Sequence, residues 1–159
     1  MVNYKIYDSS VGTLLLLADE RGLLEVRFAG NEDDALAQVE GRSEGGELLT
    51  SCVKQLDAYF AGQLTEFDLP LVYSGTDFQR QVMHALRDIP YGGTCSYGEL
   101  AKKLGHAGAA RAVGSANRRN PLPIIVPCHR VIGSNGHLTG FSGGLEIKRK
   151  LLTIEGAAL

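Results

Sequence analysis

The strongest constraint on what this chain can fold into is a change of pattern at Tyr73-Ser74-Gly75-Thr76. Before it, apolar stretches alternate with turn residues. Tyr4 to Tyr7, Gly12 to Ala18 and Leu23 to Phe28 are separated by Asp8-Ser9-Ser10 and Asp19-Glu20-Arg21-Gly22, which predicts a three-stranded antiparallel meander. Asn31 is placed to cap a short acidic helix over Glu32 to Glu40, and Arg42 to Gly46 reads as a polar loop. Leu48, Leu49, Cys52, Val53, Leu56, Tyr59 and Phe60 recur at helical spacing up to Gly62, which puts Cys52 in a core. Phe67 to Val72 reads as extended.

After the change the pattern is helical. Phe78, Val82, Leu86 and Ile89 share one face of a helix that Thr76 or Asp77 can cap and Pro90 stops. Ser96-Tyr97-Gly98-Glu99 is a capping-box pattern opening a helix through Leu104, closed by Gly105. The turn His106-Ala107-Gly108 then leads into Ala109 to Arg119, so helix, short turn and helix give a helix-turn-helix outline. The expected class is α+β: residues 1–76 a small antiparallel sheet with helices, residues 77–159 a mostly helical unit containing the helix-turn-helix.

Charge follows the same division. With 16 basic and 18 acidic residues the chain has a net charge of -2, which by itself argues against a polyanionic partner. Residues 1–77, however, hold five basic and fourteen acidic groups, and residues 78–159 hold eleven and four. A half at -9 joined to a half at +7 has two readings: a polyanion-binding half, or two subdomains attracting each other. The longest apolar run, Leu14 to Ala18, is far short of a membrane span, and Met-Val-Asn-Tyr-Lys does not begin a secretion signal, so the expected location is cytoplasmic. Cys52, Cys95 and Cys128 lie 43 and 33 residues apart, which suits neither a disulfide framework nor a zinc site.

Ile124 to Gly133 sets a cysteine beside a histidine, Cys128-His129, between two apolar stretches that read as extended. His129 and Arg130 are cations that can favour a thiolate, and Pro127 stiffens the approach. Neighbours on a regular strand point to opposite faces, so Cys128 and His129 can cooperate only if the chain turns there or a water bridges them, and a loop is the expectation. In the second helix of the pair, Ala and Gly suit either tight packing or close approach to a minor groove, with Arg111, Arg118 and Arg119 supplying cations.

These residues carry a resemblance. Pro127-Cys128-His129-Arg130 with Val131-Ile132-Gly133, preceded by Ala110-Arg111-Ala112-Val113-Gly114 and Asn120-Pro121, is similar to the O6-alkylguanine-DNA alkyltransferase family, also called methylated-DNA-protein-cysteine methyltransferase. So is the following Gly140-Phe141-Ser142-Gly143-Gly144, with Leu151-Leu152 to Glu155-Gly156. The motifs run in order from Phe78 to Gly156, and Leu56 to Gly62 resembles the family's N-terminal module, which is ribonuclease-H-like.

The resemblance implies direct-reversal repair. The alkyl group of an O6-alkylguanine in double-stranded DNA, with O4-alkylthymine as a further lesion, would move irreversibly and once per molecule to Cys128. His129 would take the thiol proton through a water, Glu155 would orient His129, Asn120 would brace the loop, and Arg130 would be a structural charge partner. Tyr97 would donate to guanine N3 and crowd the target phosphate. Carbonyls of Cys128 and Val131 would accept from the exocyclic amine, in a pocket of Val131, Phe141, Ser142 and Gly143. Arg111 would fill the gap left by the flipped base, and Ala110, Ala112, Gly114, Asn117, Arg118 and Arg119 would complete the DNA face. The implied protein works without cofactor or metal, as a monomer that can cluster on DNA.

Three departures stand out: Met83 where many members have tryptophan, Phe141 where tyrosine is frequent, and Arg118-Arg119 where small residues are common. Among other classes, a thiol hydrolase or acyltransferase needs an oxyanion hole and leaves the basic helix pair unexplained. A helix-turn-helix regulator leaves the Pro-Cys-His-Arg segment idle, a lesion-binding relative without chemistry lacks the cysteine, and no carboxylate cluster marks a nuclease. Ionisation alone is a modest gain: a free thiol is about 3% thiolate at pH 7, so full ionisation contributes roughly 2 kcal/mol, and positioning must supply the rest.

Overall fold

A computed structural model describes residues 1–158, and the chain divides into two compact units, Met1–Tyr73 and a second beginning at Ser74. In the first, β1 (Asn3–Ser9), β2 (Gly12–Asp19) and β3 (Gly22–Gly30) form the expected meander, with Tyr4 opposite Leu17 and Leu16 opposite Val26. The expected polar loop holds a fourth strand, β4 (Ser43–Glu44), which runs parallel to β1 and gives the order β3-β2-β1-β4. Two residues are too few for an alternating pattern, so this strand had no signal in the sequence.

Helices cover both faces of the central strand. Leu14 to Leu17 are all at most 2% exposed, and Leu15 and Leu17 cluster with Ala35 and Val39 from α1 (Glu32–Ala37) and the residues that follow it. Pleating turns Leu14 and Leu16 to the opposite face, that of α2 (Glu47–Phe60), whose buried residues are Leu49, Cys52, Leu56 and Tyr59. Helix α1 is shorter than the expected Glu32 to Glu40. Asn31 caps it through Asp34 N–H and three acidic residues favour its first turn, but its C-cap is already Gln38, and no basic residue in its last turn supports that end. Leu71 lies extended beside Leu23 as an isolated bridge.

The second unit is helical apart from one short parallel pair. Helix α3 (Asp77–Arg87) opens with a complete capping box, Thr76 to Gln79, and α4 (Tyr97–Lys103) with another, Ser96 to Glu99. Helix α5 (Ala110–Arg118) follows after the turn, and α6 (Leu145–Ile154) closes the unit. Strand β5 (Cys95–Ser96) pairs with β6 (Val131–Ile132), Cys95 opposite Val131. That pairing sets the start of α4 beside the turn that carries Cys128. Met83, one of the departures, is 1% exposed and packs in this unit's core.

Candidate active site

The turn that holds Cys128 is built from its neighbours upward. Ile124-Ile125-Val126 is not extended as expected: Ile124 has φ 75°, and the segment is a tight turn closed by Val126 N–H to Leu122 O at 2.8 Å. A left-handed β-branched residue is strained, so the surroundings must hold it. Asn120 does so with both ends of its amide, Nδ2 donating to Val126 O at 2.8 Å and Oδ1 accepting from Leu122 N–H at 3.0 Å. Pro127 then enters a 3-10 turn, Cys128–Arg130, which places Cys128 and His129 off any regular strand.

All three turn residues are buried, with Cys128 3% and His129 0% exposed. His129 Nε2 lies 2.7 Å from Glu155 Oε2. A carboxylate only accepts, so Nε2 carries the proton and Nδ1 holds the lone pair. Nδ1 has no hydrogen-bond partner among the described residues. Arg130 grips the same carboxylate through Nε at 2.8 Å and Nη2 at 3.0 Å, donates to Ile89 O at 2.7 Å, and lies over the Tyr91 ring. Tyr91 O–H in turn reaches Ile154 O at 3.3 Å, tying the segment after α3 to the end of α6.

The electrostatics differ from expectation. Burial pushes the Cys128 thiol up to about 11, and the influences that pull it back are the Asn120 amide and the charge of Lys148, not His129 or Arg130. Burial also holds His129 below its ordinary range despite Glu155, so it carries no charge at neutral pH. Arg130's charge is committed to Glu155. In this closed state the thiol is therefore protonated at pH 7. Labelling of Cys128 in the free protein by iodoacetamide should rise as pH increases toward about 11, and a rate already level at pH 7 would contradict this.

Lys148 is a site residue that the motif reading passed over. It is 0% exposed, and its Nζ donates to Val131 O at 2.5 Å and Thr139 O at 2.7 Å, 6.0 Å from the Tyr97 ring centroid. Its burial lowers its affinity for a proton to about 8. The signal was present: Lys148, Leu151, Leu152 and Glu155 fall at i, i+3, i+4 and i+7, a single buried stripe.

Tyr97 donates to Thr139 O at 3.1 Å and accepts from Thr139 Oγ1 at 3.3 Å. Beside it is a cavity of about 640 Å³ lined by Tyr97, Ala110, Arg111, Gly114, Arg118 and the Gly133–Ser134 backbone among others. Arg111, Ala112, Arg118 and Arg119 are exposed. Gly114 is buried against Tyr97, and a Cβ there would stand 3.6 Å from the ring, an ordinary contact, so the packing of α5 on α4 does not itself require glycine.

One expectation is corrected. Asn117 is not on the outer face of α5: it is 1% exposed and turned inward, with Nδ2 donating to Cys128 O at 3.2 Å. It shares a helix face with Val113 and Ala116 rather than with Arg118, so the helical period puts it in the core. Of the expected pocket wall, Val131 and Phe141 are buried and Ser142 is exposed, and none of these or Gly143 lines the cavity beside Tyr97. Among the described residues no group of side chains could hold a metal ion, and no helix is long and apolar enough to cross a membrane.

Comparison with known proteins covers the same ground from outside. Residues 2–73 match the 6-O-methylguanine DNA methyltransferase ribonuclease-like domain, and residues 77–157 match the DNA binding domain of the same enzyme. A methylated-DNA–protein-cysteine methyltransferase of Methanosarcina acetivorans is 49% identical over 154 residues, covering 97% of this chain and 98% of that one. One from Mycolicibacterium paratuberculosis is 48% identical over 155 residues, 98% of this chain and 93% of that one. The crystal structure of Mycobacterium tuberculosis OGT in complex with DNA superposes with a TM-score of 0.86 at 48% identity, covering 97% and 92% of the two chains. With both parts of its length matched in order, and relatives of nearly half identity over almost all of it, the chain belongs to the methylated-DNA–protein-cysteine methyltransferase family.

Proposed function

We propose that this chain repairs O6-alkylguanine in double-stranded DNA by moving the alkyl group to Cys128. The observation that carries the reading is the His129–Glu155 pair, which leaves Nδ1 as an unengaged buried base in the same turn as a buried thiol. In the reaction the Cys128 proton passes through a water to His129 Nδ1, and Glu155 stabilises the resulting cation. Sulfur attacks the alkyl carbon, a C–S bond forms as the O6–C bond breaks, and the electron pair returns to the guanine ring, where Tyr97 O–H donates at N3. The thioether has no leaving group, so each chain acts once and needs no cofactor.

An exposed thiolate would be lost to side reactions, whereas here Cys128 is buried and protonated. Ionisation is thereby tied to arrival of the base. That base must leave the stack, at a cost of a few kcal/mol that a poorly paired lesion reduces. Arg111, beside the cavity on α5, is suited to fill the gap, with Ala110, Ala112 and Gly114 allowing approach to the minor groove and Arg118 and Arg119 meeting phosphates. One monomer acts per lesion, with clustering along DNA and a cytoplasmic setting as parts of the same reading.

Incubation with a duplex carrying O6-methylguanine, followed by intact mass and peptide mapping, tests it. The expected result is a gain of one methylene unit on the Cys128 peptide, at most one per chain, and none in Cys128→Ala. Many turnovers per protein, or modification elsewhere, would sink the idea. Repair should also weaken by roughly tenfold or more between 50 and 200 mM salt if the +7 half meets phosphates.

A further inference from the structure

The two backbone carbonyls at the reactive turn, Cys128 O and Val131 O, are already engaged from the protein side. Cys128 O accepts from Val131 N–H, which closes the 3-10 turn, and from Asn117 Nδ2 at 3.2 Å. Val131 O accepts from Lys148 Nζ at 2.5 Å. A carbonyl has two lone pairs, so the first is filled and the second half filled before any base arrives. Both side-chain donors are buried, Asn117 at 1% and Lys148 at 0% exposed, so water does not compete for these bonds.

We propose that Asn117 is a specificity-determining residue that frees the pocket from dependence on the 2-amino group of its base. This rests on the reading above, in which these carbonyls accept from the exocyclic amine of a flipped guanine. A site rejects an analogue that lacks a hydrogen-bonding group when its own buried partner is then left unpaired. Here the chain supplies the partner. An O6-alkylguanine gains an N–H···O bond at Cys128 O only by displacing Asn117 Nδ2, a buried donor, so the amine brings little net gain there, while the short charge-assisted bond from Lys148 keeps Val131 in place. A base without the amine leaves Asn117 where it is, and no acceptor is orphaned. O6-alkylhypoxanthine, which presents a C–H in place of the amine on that edge, then falls within range.

The test is single-turnover transfer from two duplexes of one sequence, carrying O6-methylguanine or O6-methylhypoxanthine, to the wild-type chain and to Asn117→Leu. Leucine keeps the branching at Cγ and removes the donor. In the wild type the two rates are expected within about tenfold of each other. In Asn117→Leu the gap should widen by about three- to tenfold, because only guanine then fills the second lone pair of Cys128 O. A wild-type gap above about a hundredfold, or a ratio unchanged or narrowed in the variant, overturns the proposal. Asn117→Ala carries the same comparison if the leucine chain fails to fold, and the wild-type ratio needs no variant. Transfer from neither duplex to Cys128 overturns the proposed function itself, and this inference with it.

Discussion

Replacing Glu155 by alanine is expected to cost the second unit about 3–5 kcal/mol of stability and to abolish most of its repair. Glu155 is 5% exposed and receives three bonds: His129 Nε2 at 2.7 Å, Arg130 Nε at 2.8 Å and Arg130 Nη2 at 3.0 Å. Removing the carboxylate leaves a guanidinium in a buried place with one remaining acceptor, Ile89 O, and leaves His129 without the group that sets its tautomer. The first loss is paid in stability, the second in rate. Urea unfolding of the variant against wild type measures the first, and a cost below about 1 kcal/mol would mean that Arg130 finds water without effort. Glu155→Gln separates the two, since its amide oxygen can accept from His129 but offers no charge to Arg130.

The same burial gives the unit an acid limit. His129 is held neutral, its proton affinity lowered in the folded chain mainly by burial. As pH falls below about 6.5 the unfolded chain takes up a proton that the folded chain resists, so stability falls on acidification. The slope from this one group is at most about 1.4 kcal/mol per pH unit.

Arg111→Ala is the second large effect, and it should be selective. Transfer from duplex DNA is expected to fall by about a hundredfold, whereas transfer from free O6-benzylguanine should stay within about threefold, because only the duplex reaction includes opening the stack. Arg111 is exposed and near the first turn of α5, so truncation removes little packing. Equal losses on both substrates would instead give Arg111 a structural role.

Local signals in the sequence were reliable where the chemistry is local. Ser96 with Glu99 closes its capping box as the spacing requires, Thr76 rather than Asp77 caps α3, and Pro127-Cys128-His129 leaves the regular strand that two cooperating neighbours cannot share. Asn120 braces the turn with both ends of its amide. The resemblance implies Asn117 on the DNA face beside Arg118, but one step along a helix is a rotation of about 100°, enough to move a residue from surface to core. The cations beside Cys128 were expected to favour a thiolate, but Arg130 is neutralised by Glu155, 25 residues away, and His129 by burial.

By itself the sequence determined the two-part α+β architecture, the helix pair with its basic residues, and the turn where thiol and imidazole meet, because periodicity, capping and turn chemistry act over a few residues. The tertiary structure alone decided the state of those groups. The pairing of Cys95 with Val131, the bond from Lys148 to Val131 O and the grip of Arg130 on Glu155 join segments well separated in the chain. Whether a thiol is charged, or a carbonyl already has its donor, depends on which distant groups share its enclosure, and no local pattern encodes that.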